Sequence, residues 1–341
     1  MSNYAGLDIG LEQTAVCIMD QEGTILRDAM VTNDPDALSE FLIGTGFPLH
    51  RIGMEACPLS QWLFDGLVKA GLPAICIEIR HLKAAMSAMT HKSDHNDARG
   101  IAQVMRTGWF RAVHVKSRGS QEIRMLLTSR RFLVSKRGAL ESELRGSLKV
   151  FGLKVGKVAP KAFAARVREL VDGEQMLQAI VEPLLSLRAE IIKQLDVLHR
   201  MVLSLARNDE LCRRWMAIPG VGPVVALTFR TAIDVPQRFS RSRSVGPILG
   251  LVPKKHQSGE VDRHGRITKR GDAMTRSMLY EAANTMLARG QSCSLKTWAL
   301  KIRDRRDYKR AKVALARKLA IVMHAMWTDG TEFHWGRLNA A

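Results

Sequence analysis

The sequence predicts a mixed α/β domain followed by a mainly helical remainder, α/β plus α in class. Three observations carry this. Three short apolar, β-branched runs open the chain, separated by Gly10 and by Gln21-Glu22-Gly23. Helix-like and strand-like runs then alternate for some seventy residues, roughly a helical crossover per strand. Beyond residue 120 the apolar spacing becomes helical and stays so for most of the chain.

Tyr4 to Ile9, Thr14 to Met19 and Thr24 to Val31 read as consecutive antiparallel strands. A helix is predicted from Pro35 to Leu42, a strand from Arg51 to Glu55, a helix from Ser60 to Ala70, a strand from Ala74 to Ile77, and a helix after Asp97. Helical crossovers bring the later strands parallel into one mixed sheet. Asp8 then lies near the carboxyl end of the first strand and Glu55 at that of the fourth, where open α/β sheets gather their ligands.

The stretch from His91 to Gly100 reads as a loop entering a helix, capped by Ser93 or Asp94. Spacing of three residues sets Asp94 beside Asp97 at the positive helix end. An acid-rich helix start is commonly no more than a cap, and Asp8 by itself reads equally well as a strand-end cap. Four acids on adjoining element ends would repel one another without a cation. If the fourth strand lies beside the first, Asp8, Glu55, Asp94 and Asp97 form a metal site, and hard oxygen donors favour Mg²⁺ or Mn²⁺ over zinc.

From Gln121 to Val150, Ile123, Leu126, Leu133, Leu140, Leu144 and Leu148 share one helix face. After a break between Gly152 and Pro160, Leu177, Ile180, Leu184, Leu187, Ile191, Leu195, Leu198, Val202 and Leu205 follow a heptad seam with one stutter. Pro183 sets the expected start of that continuous helix. Such a seam suits a coiled coil between protomers as well as packing on the preceding helix. Near Asn208 a boundary falls. Beyond it, Pro219-Gly220-Val221-Gly222-Pro223 makes a tight turn between helical stretches, resembling a helix-hairpin-helix. Gly220 and Gly222 are its candidate phosphate contacts, against the alternative of a turn that only packs.

Gly250-Leu251-Val252-Pro253-Lys254-Lys255-His256-Gln257-Ser258-Gly259 and Gly265-Arg266-Ile267-Thr268-Lys269-Arg270-Gly271 come next. Read alone, Ser258 is a turn residue. From Lys301 to Lys318 there are nine basic residues and two acidic ones. A helix from Tyr308 to Ala325 would bury Ala314, Leu315, Leu319, Val322 and Met323 and offer Lys309, Arg310, Lys312, Arg317 and Lys318 to phosphates.

Lys and Arg number 52 against 33 Asp and Glu, a net charge of +19 over 341 residues, which points to a polyanionic partner. The five cysteines are scattered without a Cys-x-x-Cys pair, so neither a disulfide framework nor a zinc site is suggested. No signal peptide and no membrane-spanning run is read, and a cytoplasmic location without membrane contact is expected.

Gly-Leu-Asp-Ile-Gly on the first strand, Gly-Met-Glu-Ala on the fourth and Ser-Asp-His-Asn-Asp-Ala-Arg at the later helix resemble the Asp-Glu-Asp-Asp domain of the insertion-sequence one-ten family of bacterial transposases, also described as bridge-RNA-guided recombinases. The resemblance covers nearly the whole chain. It implies an RNase H-like (Holliday-junction-resolvase-like) metal domain over 1–150, a helical coiled-coil connector over 151–207, and a mainly helical C-terminal transposase domain over 208–341. It also implies that Ser258 is the nucleophile and that Arg266, Lys269 and Arg270 lie in a basic segment of the site; Lys254, Lys255, Arg317 and Lys318 are further candidates for the nucleic-acid surface. The expected partners are DNA, a structured non-coding guide RNA and further copies of the chain, as a dimer or tetramer with the two half-sites drawn from different protomers. Two rivals share much of this sequence: a nuclease or junction resolvase using the carboxylates alone, and a non-catalytic nucleic-acid assembly protein. Residues 260–264 and the tail after Gly330 receive no role.

Overall fold

The computed structural model describes residues 2–78, 93–259 and 261–336. Two compact units divide the chain, Met1–Lys116 and Ser117–Ala341. No helix among the described residues is long and apolar enough to cross a membrane.

The first unit runs β1 (Asn3–Ile9), β2 (Gln13–Met19), β3 (Ile25–Thr32), α1 (Pro35–Gly44), β4 (Leu49–Glu55), α2 (Ser60–Lys69), β5 (Ala74–Ile77) and α3 (Asp94–Thr107). Its sheet has the order β3-β2-β1-β4-β5, with β1, β2 and β3 antiparallel and β4 and β5 parallel to β1. This is the mixed RNase H-like sheet that the sequence leads one to expect, with the fourth strand beside the first. Alternating side chains split its contacts between two faces. Ala5, Leu7, Ile52 and Met54 pack with Leu38, Leu42, Leu63 and Leu67 of α1 and α2. Tyr4 and Cys17 pack with Ala98, Ile101 and Met105 of α3. Local chemistry starts the helices where the layers need them. Asp34 accepts hydrogen bonds from Asp36 N and Ala37 N ahead of Pro35, and Ser93 accepts one from Asn96 N at the head of α3.

The second unit contains α4 (Arg118–Lys149), α5 (Phe163–Leu170), α6 (Gln175–Asn208), α7 (Glu210–Met216), α8 (Pro223–Ile233), α9 (Val245–Ile248), β6 (Pro253–Ser258), β7 (Val261–Ile267), α10 (Ala273–Arg289), α11 (Ser294–Arg305) and α12 (Tyr308–Asp329). Trp215 anchors its main core, donating from Nε1 to Met323 O at 2.8 Å and meeting Phe229 and Trp327 edge to face. The helix α4, expected within a domain ending at residue 150, belongs here. Asp234, at φ 64°, caps it by accepting from Ser117 N and Oγ, and Leu126 and Leu127 share a core with Val202 and Ala206 of α6.

Two expectations about α6 change. The helix starts at Gln175 and carries Pro183 within it, because the turns before the proline are held from outside. Val181 and Leu185 pack on Phe163 and Val167 of α5, while Arg168 makes a fork to Glu182 with contacts of 3.0 and 2.6 Å. The buried stripe is Val181, Leu185, Arg188, Val202 and Ala206, one position round from much of the expected seam, leaving Ile180, Leu187 and Leu205 exposed. Arg188 adds a 2.8 Å bond to Glu141 of α4. The seam thus sits at the margin of an intramolecular helix pair.

Candidate active site

The acidic site rests on the register of β1 and β4. Leu7 pairs with Met54 in that parallel ladder, and Asp8 and Glu55 are the next residues of their strands. A strand's side chains alternate, so Asp8 shares a face with Gly6 and Glu55 with Gly53. Both glycines lie under α3: a Cβ on Gly6 would stand 2.1 Å from Ala98 O, and one on Gly53 2.6 Å from Met105 Cγ. Only glycine permits that approach. The direction of α3 is set at its other end, where Arg51 near the start of β4 donates to Met105 O at 3.1 Å. Its N-terminus, with Asp94 exposed and Asp97 half-buried, therefore lies toward the carboxyl ends of β1 and β4, with Asp8 and Glu55 both half-buried.

Four hard carboxylates on converging ends, beside a positive helix terminus, suit an oxygen-seeking divalent cation in chemistry and direction. Among the described residues no three His, Cys, Asp or Glu side chains yet stand close enough together to hold one. Of the two expected caps, Ser93 takes the position and Asp94 begins the helix, whereas His91 and Lys92 lie outside the described residues.

A fifth acid, which sequence reasoning passed over, fixes α3. Asp28 on β3 meets His95 Nδ1 through one oxygen, and its other oxygen accepts from Arg99 Nε at 2.8 Å. His95 and Arg99 are four residues apart, so one carboxylate grips the helix face beside Asp94 and Asp97. The signal was available: an Asp inside a strand-like run needs a partner. Burial works to raise the Asp28 carboxyl, but bonds from His95 and Arg99 outweigh it and hold the group below its usual range. Burial, reinforced by the Asp28 charge, pushes the Cys17 thiol up to about 11, which keeps it inert at neutral pH. A carboxyl lowered by folding stabilises fully above its unfolded value of about 4 and loses that contribution as pH falls through the folded value. Asp28→Asn should therefore cost about 2 kcal/mol at pH ~7. Urea unfolding of parent and variant should show the gap closing as pH falls below the unfolded value of about 4.

The second unit holds the remaining candidates. Ser258 ends β6 and pairs with Val261 at the turn of an exposed β6-β7 hairpin, a two-stranded element that sequence reading missed in a largely helical region. Gly259 has φ 54° there, with open space where a Cβ would be. Among the described residues Ser258 Oγ makes no hydrogen bond, so no neighbouring base is joined to it. Lys254, Lys255 and Arg266 along the strands, and Lys269 and Arg270 past their base, are all exposed, and Lys255 Nζ lies 3.4 Å from Asp262. The base of the hairpin is held firmly. Thr268 N donates to Val252 O at 2.9 Å and Lys269, at φ 55°, donates to Gly250 O at 3.2 Å. Residue Glu260 lies outside the described residues.

The glycine turn between α7 and α8 divides its two candidates. Gly220 has φ 85° and lies against α10, where a Cβ would be 2.4 Å from Ala282 O, so packing alone accounts for it. Gly222 caps α8 in extended form with open space beside it, and Pro223 follows at the first helical position. On α12, Leu315, Leu319, Val322 and Met323 are buried as expected. Lys309 and Arg310 are exposed, whereas Arg317 and Lys318 are half-buried, with Arg317 lying along Gly246 of α9.

Comparison with known proteins gives two matches to family models. One for DEDD-type IS110 transposases, described as Transposase, matches residues 5–152, and one described as Transposase IS116/IS110/IS902 family matches residues 212–299. The chain is 28% identical over 337 residues to the transposase for insertion sequence element IS1111A of Coxiella burnetii, covering 97% of this chain and 91% of the relative. It is 24% identical to the transposase for insertion sequence element IS1328 of Yersinia enterocolitica, over 96% and 97% of the two. A probable family 20 transposase of Pseudomonas aeruginosa is 28% identical over 85% and 87%. Among solved structures, a Thermus thermophilus RuvC in complex with Holliday junction substrate covers 33% of this chain at 14% identity, with a TM-score of 0.25 that is too low to argue from.

Proposed function

The chain belongs to the IS110 family of insertion-sequence transposases, enzymes acting on DNA, and from that premise we propose that it cuts and rejoins DNA through a serine-linked intermediate aided by its carboxylates. In this reading Ser258 Oγ bonds to phosphorus as the P–O3′ bond breaks. The products are a 5′-phosphoseryl link and a 3′-hydroxyl, which takes a proton. The energy of the broken ester is kept in the new one, so attack by another 3′-hydroxyl reverses the chemistry and rejoins an end without ATP.

A serine hydroxyl is a weak nucleophile near neutrality and needs a base or a metal. Asp8, Glu55, Asp94 and Asp97 would hold Mg²⁺ or Mn²⁺, which when bound lowers the pKa of an oxygen ligand and offsets phosphate charge. The observation that carries the reading is the Leu7–Met54 register, since it sets Asp8 and Glu55 side by side on the face covered by the acid-bearing end of α3. Lys254, Lys255, Arg266, Lys269 and Arg270, exposed along the hairpin and at its base, would position the phosphate backbone. Gly222 and the run from Lys301 to Arg310 extend that surface. A structured guide RNA and a homo-oligomer complete the reading, the exposed Ile180, Leu187 and Leu205 on α6 being available for contacts between copies.

The test is strand cleavage by the purified full chain on DNA carrying the element's ends, with the nucleic acid that copurifies from its host, with and without chelator. The reading expects Mg²⁺-dependent breaks with protein attached to the 5′ end. Metal-dependent breaks with free 5′-phosphates would favour a hydrolytic nuclease.

A further inference from the structure

The face of the first sheet under α3 carries one row of directly paired residues across four strands. Gly53 pairs with Gly6, Gly6 with Cys17, and Cys17 with Asp28. Paired residues point to the same face, so the row beneath the helix reads glycine, glycine, cysteine, aspartate. Its glycines let α3 lie close: Gly6 faces Ala98 and Ala102, and Gly53 faces Ile101 and Met105. Small residues allow that approach but set no rotation of the helix about its own axis. Asp28, at the end of the row, reaches up to it. One carboxylate oxygen meets His95 Nδ1, and the other takes Arg99 Nε and Nη2, each at 2.8 Å.

The acidic residues stand one row further on. Asp8 and Glu55 follow Gly6 and Gly53 by two residues, about 7 Å toward the carboxyl ends of their strands. Asp94 and Asp97 precede Ala98 and Ile101 by four residues, a turn of about 5.4 Å in the same direction. Both therefore continue the sheet-facing stripe of α3, while His95 and Arg99 form its flank toward β3. Rotation of the helix by one residue, about 100°, would turn that stripe off the sheet. The grip on the flank opposes such a turn.

We propose that Asp28 is a positioning residue for the metal site: by holding His95 and Arg99 it sets the rotation of α3 that turns Asp94 and Asp97 toward Asp8 and Glu55. The proposal rests on the metal reading above and deepens it. Asp28 touches no reacting atom and acts only through the helix.

The experiment is Mn²⁺ binding to the full chain without nucleic acid, read by electron paramagnetic resonance at a temperature where each variant is folded by near-ultraviolet circular dichroism. Asp28→Asn should raise the Kd for Mn²⁺ about tenfold, the scale of losing a group that orients metal ligands. Arg99→Gln should act similarly, and the two together should cost little more than either, because both break one grip. Arg99→Lys, which keeps the charge and loses the fork, should fall between parent and Arg99→Gln. In strand cleavage, the Mg²⁺ concentration giving half the maximal rate should rise about tenfold in Asp28→Asn. Its rate at saturating Mg²⁺ should stay within about threefold of the parent, since excess metal selects the competent rotation. Leu67→Ala, in the core on the other face of the sheet, is the control for lost stability: its melting temperature should fall while its Mn²⁺ affinity stays parental. Weaker Mn²⁺ binding by folded Asp28→Asn, coupled to Arg99, supports the positioning role. Parental affinity in Asp28→Asn, or an equal loss in Leu67→Ala, overturns it and leaves the metal site standing. Should Asp28→Asn not fold, weaker or parental binding by Arg99→Lys decides the same way. A parent that binds no Mn²⁺ removes the metal reading and the positioning role together.

Discussion

Asp8→Asn and Asp97→Asn should each reduce strand cleavage about a thousandfold, the scale of several kcal/mol of lost charge stabilisation. Their fold should remain. Asp8 and Asp97 are half-buried at element ends, and Leu7 and Met54 carry the local core instead. Near-ultraviolet circular dichroism should match the parent, and Mg²⁺ should raise the melting temperature of the parent more than that of either variant, since binding to the folded state alone stabilises it. Glu55→Gln should behave alike. Asp94→Asn, removing an exposed carboxylate, should also impair cleavage. Cleavage at parental rate in Asp8→Asn or Asp97→Asn would remove the metal site from the account.

Much of this site was legible because it depends on local patterns. The β-branched runs, the Gln21-Glu22-Gly23 turn and the helical crossovers lead to the mixed sheet, and the sheet carries Asp8 and Glu55 to its carboxyl ends. Capping chemistry at Ser93 placed Asp94 and Asp97 in the first turn. Contacts between residues distant in sequence were harder to see. Asp28 reads as one polar position in a strand, and its grip on His95 and Arg99 follows only when α3 lies across the sheet. The β6-β7 hairpin is rich in Lys, Arg, His and Gln and lacks an apolar alternation, so periodicity could not find it. Pro183 misled for a related reason, since Arg168 and α5 hold the turns before it from outside the helix. Nor does the sequence distinguish Gly220, needed under α10, from Gly222, which is open.

Ser258→Ala should abolish covalent attachment to DNA while leaving DNA binding, metal response and fold as they are in the parent. The substitution deletes one oxygen at an exposed hairpin tip and touches no core, so its stability cost should be within about 0.5 kcal/mol. That makes it a clean separation of chemistry from structure. Ser258→Cys should retain weak activity, because a thiolate also attacks although phosphorus suits oxygen better. In a metal-dependent nuclease the same alanine would cut at the parental rate, and a non-catalytic assembly protein would bind without cutting whichever residue stood at 258.

The most direct test of the serine-linked account is to stop the parent's reaction with denaturant, digest the protein, and map the nucleotide-bearing peptide by mass spectrometry. The account predicts a 5′-nucleotide on Ser258, formed only with divalent metal and absent from Ser258→Ala. An adduct on another residue, or cleaved DNA with no adduct at all, would contradict it.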